Sequence, residues 1–154
     1  MEKAPTLRRG AFERITRALN WIVLRHGRAA RLPRHLLTGL AGEDAAFFHL
    51  QRGGYRIVAR RWGCRDIRGD VDLIAWDGPM LCFIEVKTRT AHTLTPAEAA
   101  VDEAKRRILR RLARRYLRQL PGPAAPPLRF DVVSVYLVPG KPEEVTHFQA
   151  AFAL

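Results

Sequence analysis

Cysteine and lysine are both scarce in this chain. Its 154 residues contain two cysteines, Cys64 and Cys82, both in strand-like segments. Two such thiols exclude a disulfide scaffold. No apolar run approaches the roughly 18 residues that a membrane helix needs, so no span is expected. The first thirty residues are rich in arginine and lack the apolar centre of a secretory signal, which points to a cytoplasmic protein. There is no glycine-rich phosphate loop, so hydrolysis of nucleoside triphosphates is not implied. The five histidines (26, 35, 49, 92 and 147) show no metal-ligand spacing, so zinc is not expected. Only Lys3, Lys87, Lys105 and Lys141 are lysines, and every other one of the 27 cations is arginine. A GC-rich genome and selection for bidentate phosphate contacts both produce that bias.

What the chain does contain is ordinary apolar content and a large positive charge. Apolar residues make up 47 % of it, enough for one domain with a real core and too much for disorder throughout. Fifteen acidic residues against 27 cations leave a net charge of +12, which implies a polyanionic partner. Residues 1–41 carry nine of the cations and only two acids. The composition therefore divides the chain into a basic helical extension over residues 1–40 and a domain over residues 41–154.

Hydrophobic spacing outlines the elements. Phe12, Ile15, Leu19, Ile22 and Val23 predict an amphipathic helix over residues 12–25. It reads first as packing on the domain, and otherwise as a basic arm on nucleic acid or as an interfacial helix that would make the domain a scaffold. A second helix is expected over residues 42–52, opened by Gly42-Glu43-Asp44 and stopped by Gly53-Gly54. The period then changes to two. Strands are expected from Tyr55, over 70–76 and over 80–87, the last two forming a hairpin about Asp77-Gly78-Pro79. Thr95-Pro96-Ala97-Glu98 carries a capping signature for a long helix that ends at Pro121-Gly122-Pro123. Strands over 129–138 and 144–149 close the chain. Helix, three strands, helix and two strands make an α/β or α+β fold with a mixed sheet.

Three ionisable residues stand where charge is costly. Asp72 lies within Val71-Asp72-Leu73-Ile74, and Glu85 and Lys87 lie within Phe83-Ile84-Glu85-Val86-Lys87. Alternation puts Glu85 and Lys87 on one face of their strand. In a hairpin closed at residues 77–79, Asp72 and Glu85 fall nearly opposite each other, about 5 Å apart. Two carboxylates so close repel unless a cation or proton lies between them. A hard divalent ion, Mg²⁺ above all, fits that pair, with the Val86 carbonyl as a further ligand and Lys87 beside it to stabilise a phosphate or orient a water. That chemistry is phosphodiester hydrolysis. The bland alternative is a structural Asp–Lys or Glu–Lys pair at the sheet edge.

Gly69-Asp70-Val71-Asp72-Leu73-Ile74 followed by Phe83-Ile84-Glu85-Val86-Lys87-Thr88-Arg89 resembles the YraN-like family. These are predicted endonucleases of the restriction-endonuclease-like, PD-(D/E)xK fold, similar to archaeal Holliday junction resolvases. Gly42-Glu43, Gly54-Tyr55, Arg60-Arg61, Lys105-Arg106-Arg107-Ile108, Arg129-Phe130-Asp131 and Ala151-Phe152 agree in order and spacing, so the resemblance covers residues 40–154. It implies a mixed sheet flanked by helices, Mg²⁺ or Mn²⁺ held by Asp72 and Glu85, a catalytic Lys87, and Glu43 as an auxiliary acid. The family usually has Glu where this chain has Asp70, and often Asn in place of Trp62. For Glu43 alone, stabilisation of the helix dipole is an equal reading.

Other cations extend the picture. Thr88 and Arg89 follow the catalytic strand and are candidates to hold a phosphate. Lys105, Arg106, Arg107, Arg110, Arg111, Arg114, Arg115 and Arg118 put eight cations on one helix, either a solvated face or a ridge that tracks phosphates. The expectation is a metal-dependent nuclease acting on DNA, structured or branched DNA included. The rival is a nuclease fold that only holds nucleic acid within a repair or uptake complex. A homodimer is compatible with either, and no dimer surface is legible.

Overall fold

In the computed structural model, residues 33–91, 101–122 and 124–154 are described. The helix expected over 12–25 and the capping signature at Thr95–Glu98 lie outside them. The element order is α1 (Arg34–Arg52), β1 (Arg56–Cys64), β2 (Ile67–Asp77), β3 (Met80–Arg89), α2 (Glu103–Leu117), β4 (Leu128–Tyr136) and β5 (Glu144–Phe152). The five strands form one mixed sheet in the order β1-β2-β3-β4-β5. This is the α+β core, a mixed sheet flanked by helices, that the resemblance implies.

The β2–β3 hairpin turns where the sequence punctuates it. Asp77 pairs with Met80 across Gly78-Pro79, and Gly78 takes a positive φ of 55° at the first central position. From that turn the register runs back through Trp76–Leu81, Ala75–Cys82 and Ile74–Phe83 to Leu73–Ile84. β4 then pairs parallel to β3, which requires the crossover that α2 supplies. β4 is buried along most of its length, and β5 returns antiparallel beside it.

The helices cover opposite faces. Ala45, Ala46 and Leu50 of α1 pack with Leu73, Ala75, Cys82, Ile84 and Val133. Leu109, Leu112 and Ala113 of α2 pack with Val71, Ile74, Phe83, Phe130 and Val132. At one end of the sheet the fully buried Asp131 fastens β5 to β4. Its carboxylate accepts from Arg129 Nε at 3.0 and 3.1 Å and from the Ala150 backbone N–H at 3.0 Å, and it bonds His147 Nε2 at 2.9 Å.

Both helix starts differ from the sequence expectation. α1 begins at Arg34, eight residues before Gly42, so Leu36, Leu37 and Leu40 are helical and Gly42 sits in its interior. Gly42 is there for contact and does not open the helix. A Cβ on it would lie 1.9 Å from Thr88 Oγ1, so only glycine lets the helix approach β3 this closely. α2 begins at Glu103, where the Asp102 side chain accepts from the Lys105 backbone N–H at 2.7 Å. Asp102 thus supplies the N-cap of α2.

Candidate active site

The hairpin ladder stops one step short of the acidic pair. Leu73 and Ile84 are its last partners, and the next positions are Asp72 and Glu85, across from each other as the turn predicts. In place of a further ladder bond, Asp72 Oδ2 accepts the Val86 backbone N–H at 2.7 Å. The strands therefore part with a carboxylate between them.

Glu85 is nearly fully buried, and two lysines approach it. Lys87 Nζ donates to Oε1 at 3.0 Å, and Lys105 Nζ lies 3.0 Å from Oε2. Lys105 also donates to the Asp70 carbonyl at 3.1 Å. The sequence suggests nucleic-acid contact for Lys105, and the structure brings it onto the acidic pair. Burial opposes the charged form of Lys105, but Glu85, Asp72 and Asp70 outweigh it and raise its pKa.

Glu43 projects from α1 beside the Gly42 contact and is also buried. Its partner is Arg61, whose Nε lies 2.9 Å from Oε2 and whose terminal nitrogen donates to Oε1 at 2.9 Å. Arg61 is one of two non-glycine residues with positive φ among the described residues, at 48°. An L-residue pays for that conformation, and such strain concentrates at working sites. Sequence reasoning missed this role for Arg61, and the adjacent Arg60-Arg61 in strand-like text was its only trace.

A groove of about 660 Å³ opens over these groups. Arg34, His35 and Thr38 of α1 form one wall, and Glu43, Asp72, Glu85, Val86 and Thr88 line the rest. Thr88 is thus at the site. Arg89 continues the same strand, its carbonyl accepting from the Leu137 backbone N–H at 2.8 Å. Arg106 is turned elsewhere. Its Nε donates to the Val101 carbonyl at 2.8 Å, and its guanidinium lies 5.3 Å from the Phe152 ring centre.

The electrostatics favour a bound cation. Burial pushes the Asp72 carboxyl up to about 7, the neighbouring Glu85 adds to the rise, and the Val86 N–H and Lys105 only partly offset it. The Oε2 atoms of Glu43 and Glu85 are buried, and each has one cationic nitrogen beside it, Arg61 Nε at 2.9 Å and Lys105 Nζ at 3.0 Å. Among the described residues, no three His, Cys, Asp or Glu side chains converge closely enough to hold an ion alone. Two carboxylates completed by water and substrate phosphate are the manner in which Mg²⁺ is usually bound. The residues present fit such an ion.

Relatives share the segment that builds this site. The model of the uncharacterised protein family UPF0102 matches residues 42–135, which include Glu43, Asp72, Glu85, Lys87 and Lys105. The chain belongs to the UPF0102 family. This is the YraN-like group that the motifs resemble. A UPF0102 protein of Koribacter versatilis is 51 % identical over 79 % of this chain and 83 % of its own length. One from Nocardia farcinica is 44 % identical over 80 % and 94 %, and one from Symbiobacterium thermophilum is 53 % identical over 63 % and 80 %. These UPF0102 relatives are named by family alone, so the chemistry rests on the site. Among the described residues, no helix is long and apolar enough to cross a membrane.

Proposed function

We propose that this UPF0102 protein is a metal-dependent nuclease that hydrolyses phosphodiester bonds of DNA. The observation that carries the reading is the Asp72–Glu85 pair at the parted end of β2 and β3. There burial and mutual repulsion hold the Asp72 carboxyl at about 7, and Lys87 stands on Glu85 at 3.0 Å.

Asp72 and Glu85, with the Val86 carbonyl, would hold Mg²⁺ or Mn²⁺. Such an ion, when bound, polarises a phosphate oxygen and lowers the pKa of water. Glu85 anchors Lys87, so its ammonium is fixed beside the place where phosphate charge develops. Glu43, held by Arg61, faces the groove as an additional acceptor that orients water. Thr88 offers a hydroxyl on the same wall. A pathway in repair or recombination, with structured or branched DNA as substrate, suits the family resemblance.

A second reading has its own observation. Lys87 and Lys105 already neutralise Glu85 without a metal, as a module that binds nucleic acid without cutting it would need. Cleavage of labelled linear, single-stranded, flapped and four-way DNA in EDTA, Mg²⁺ or Mn²⁺, beside the Glu85→Ala protein, separates the two. Metal-dependent products lost in the variant establish the nuclease. Tight binding with no product on any substrate establishes the binding module.

A further inference from the structure

α2 starts at the acidic pair and leads away from it. Lys105 in its first turn reaches Glu85, and Arg118 follows its last residue. At about 1.5 Å per residue, Lys105 to Arg118 covers about 20 Å along the axis. Leu109, Leu112 and Ala113 dock the helix on the sheet, which fixes the face that meets solvent.

That outer face is arginine. Arg111, Arg114, Arg115 and Arg118 recur three and four apart and are all exposed. Like charges at this spacing repel. None of the four has a carboxylate partner among the described residues, whereas Arg110 on the flank bonds Glu103 at 2.7 Å and the Ala153 carbonyl at 2.8 Å. The tip between β1 and β2 brings Asp66 and Ile67 up to this face, and it carries Arg65 and Arg68, also exposed. Between the tip and the helix lies a trough of about 490 Å³ in which Asp66 is the one acid among the described lining residues.

We infer that this arginine face is a track for the sugar–phosphate backbone of duplex DNA flanking the acidic pair. The inference rests on the nuclease reading only for what the DNA is led to. A run of about 20 Å spans about six phosphates of one strand, spaced roughly 3.4 Å apart along a duplex. Guanidinium forks grip phosphate oxygens in pairs, and uncompensated repulsion among the arginines is relieved when phosphates arrive. A protein partner is disfavoured by what the face lacks. The exposed large apolar residues among those described are Leu36, Val58 and Leu154, and none lies on this helix or tip. A stable protein interface needs an apolar centre.

The test is binding of the full-length chain to a 20-base-pair duplex in EDTA, followed by fluorescence anisotropy across a salt series. Arg111→Ala, Arg115→Ala and Arg118→Ala are combined in one protein. The sites are exposed, and alanine is the best helix former, so the fold is retained. Every phosphate that the protein ceases to hold lowers the log–log salt slope by about 0.9, so the triple variant should lose about 2–3 from the slope and at least tenfold in affinity. Lys141→Ala, on the β4–β5 turn at the far edge of the sheet from β1, should change neither. An unchanged slope in the triple variant would overturn the track, as would polyglutamate competing as well as DNA. Metal-dependent cleavage with an unchanged slope would leave the nuclease standing and the track refuted. Salt-steep binding that disappears in the triple variant, with no cleavage by any form, would do the reverse.

Discussion

Lys105 Nζ stands 3.0 Å from Glu85 Oε2, on the carboxylate edge opposite the one that Lys87 holds. In the metal-free protein this ammonium provides the positive charge that the acidic pair requires. It must therefore compete with a divalent ion. Lys105→Met is expected to bind Mn²⁺ several-fold more tightly than the parent at pH 8.5, where Asp72 is ionised. A close unit charge of the same sign is worth on the order of 1 kcal/mol or more at a partly screened site. Calorimetric titration checks it. Equal or weaker affinity would show that Lys105 takes no part in the charge balance.

The Asp72 carboxyl gives a pH signature with a definite sign. Its pKa rises to about 7 in the fold, from about 4 in an unfolded chain, because burial and Glu85 both disfavour its charge. The folded state thus holds its proton more tightly. The associated stability is complete below about pH 4 and is lost as pH rises through about 7. Asp72→Asn, which keeps an oxygen for the Val86 N–H, should make the metal-free protein more stable at pH 8, by about 1–3 kcal/mol. Added Mg²⁺ should stabilise the parent and not the variant. Urea titrations with EDTA or Mg²⁺ read both, and a less stable Asp72→Asn protein in EDTA contradicts the account.

The acidic pair was legible because a tight turn between two strands fixes its own register. Asp77-Gly78-Pro79 sets the hairpin, and counting outward puts Asp72 across from Glu85. What was not legible depended on residues distant in sequence. Gly42 reads as the opening of a helix until Thr88 is seen against it. Lys105 reads as one cation among eight until the crossover brings α2 to Glu85. The fit of Arg61 to Glu43 needs a left-handed residue within a strand, which no periodicity announces. The start of α2 rests on the Asp102 side chain accepting the Lys105 backbone N–H, a local bond that the apolar spacing of the helix does not announce.

Gly42 gives a prediction opposite to helix propensity. An interior Gly→Ala change in a helix ordinarily stabilises by up to about 1 kcal/mol. Here the new methyl would meet Thr88 Oγ1 at 1.9 Å and Thr88 Cγ2 at 2.8 Å. Gly42→Ala should therefore destabilise the fold by about 1–3 kcal/mol, as overpacking does. It should also weaken Mn²⁺ binding, since Glu43 is the next residue. Thr88→Ala removes both of those atoms and should restore part of the loss. If Gly42→Ala raises the denaturation midpoint, the close approach of α1 to β3 is not what the glycine serves.

The Asp131 cluster is structure without proposed chemistry. Its carboxylate serves Arg129, His147 and the Ala150 backbone N–H, where Ala150 takes a positive φ of 51° beside the β4–β5 register shift. Removing a buried, multiply bonded charge leaves its partners uncompensated, at a cost of about 3–5 kcal/mol. Asp131→Ala should lower stability by that order. Hydrogen exchange should quicken first at residues 147–152, because Asp131 holds that end of β5 through His147 and Ala150 while β3 remains paired to β4. Exchange that accelerates evenly over all five strands would show that β5 has no separate attachment and that the cluster only contributes to the core at large.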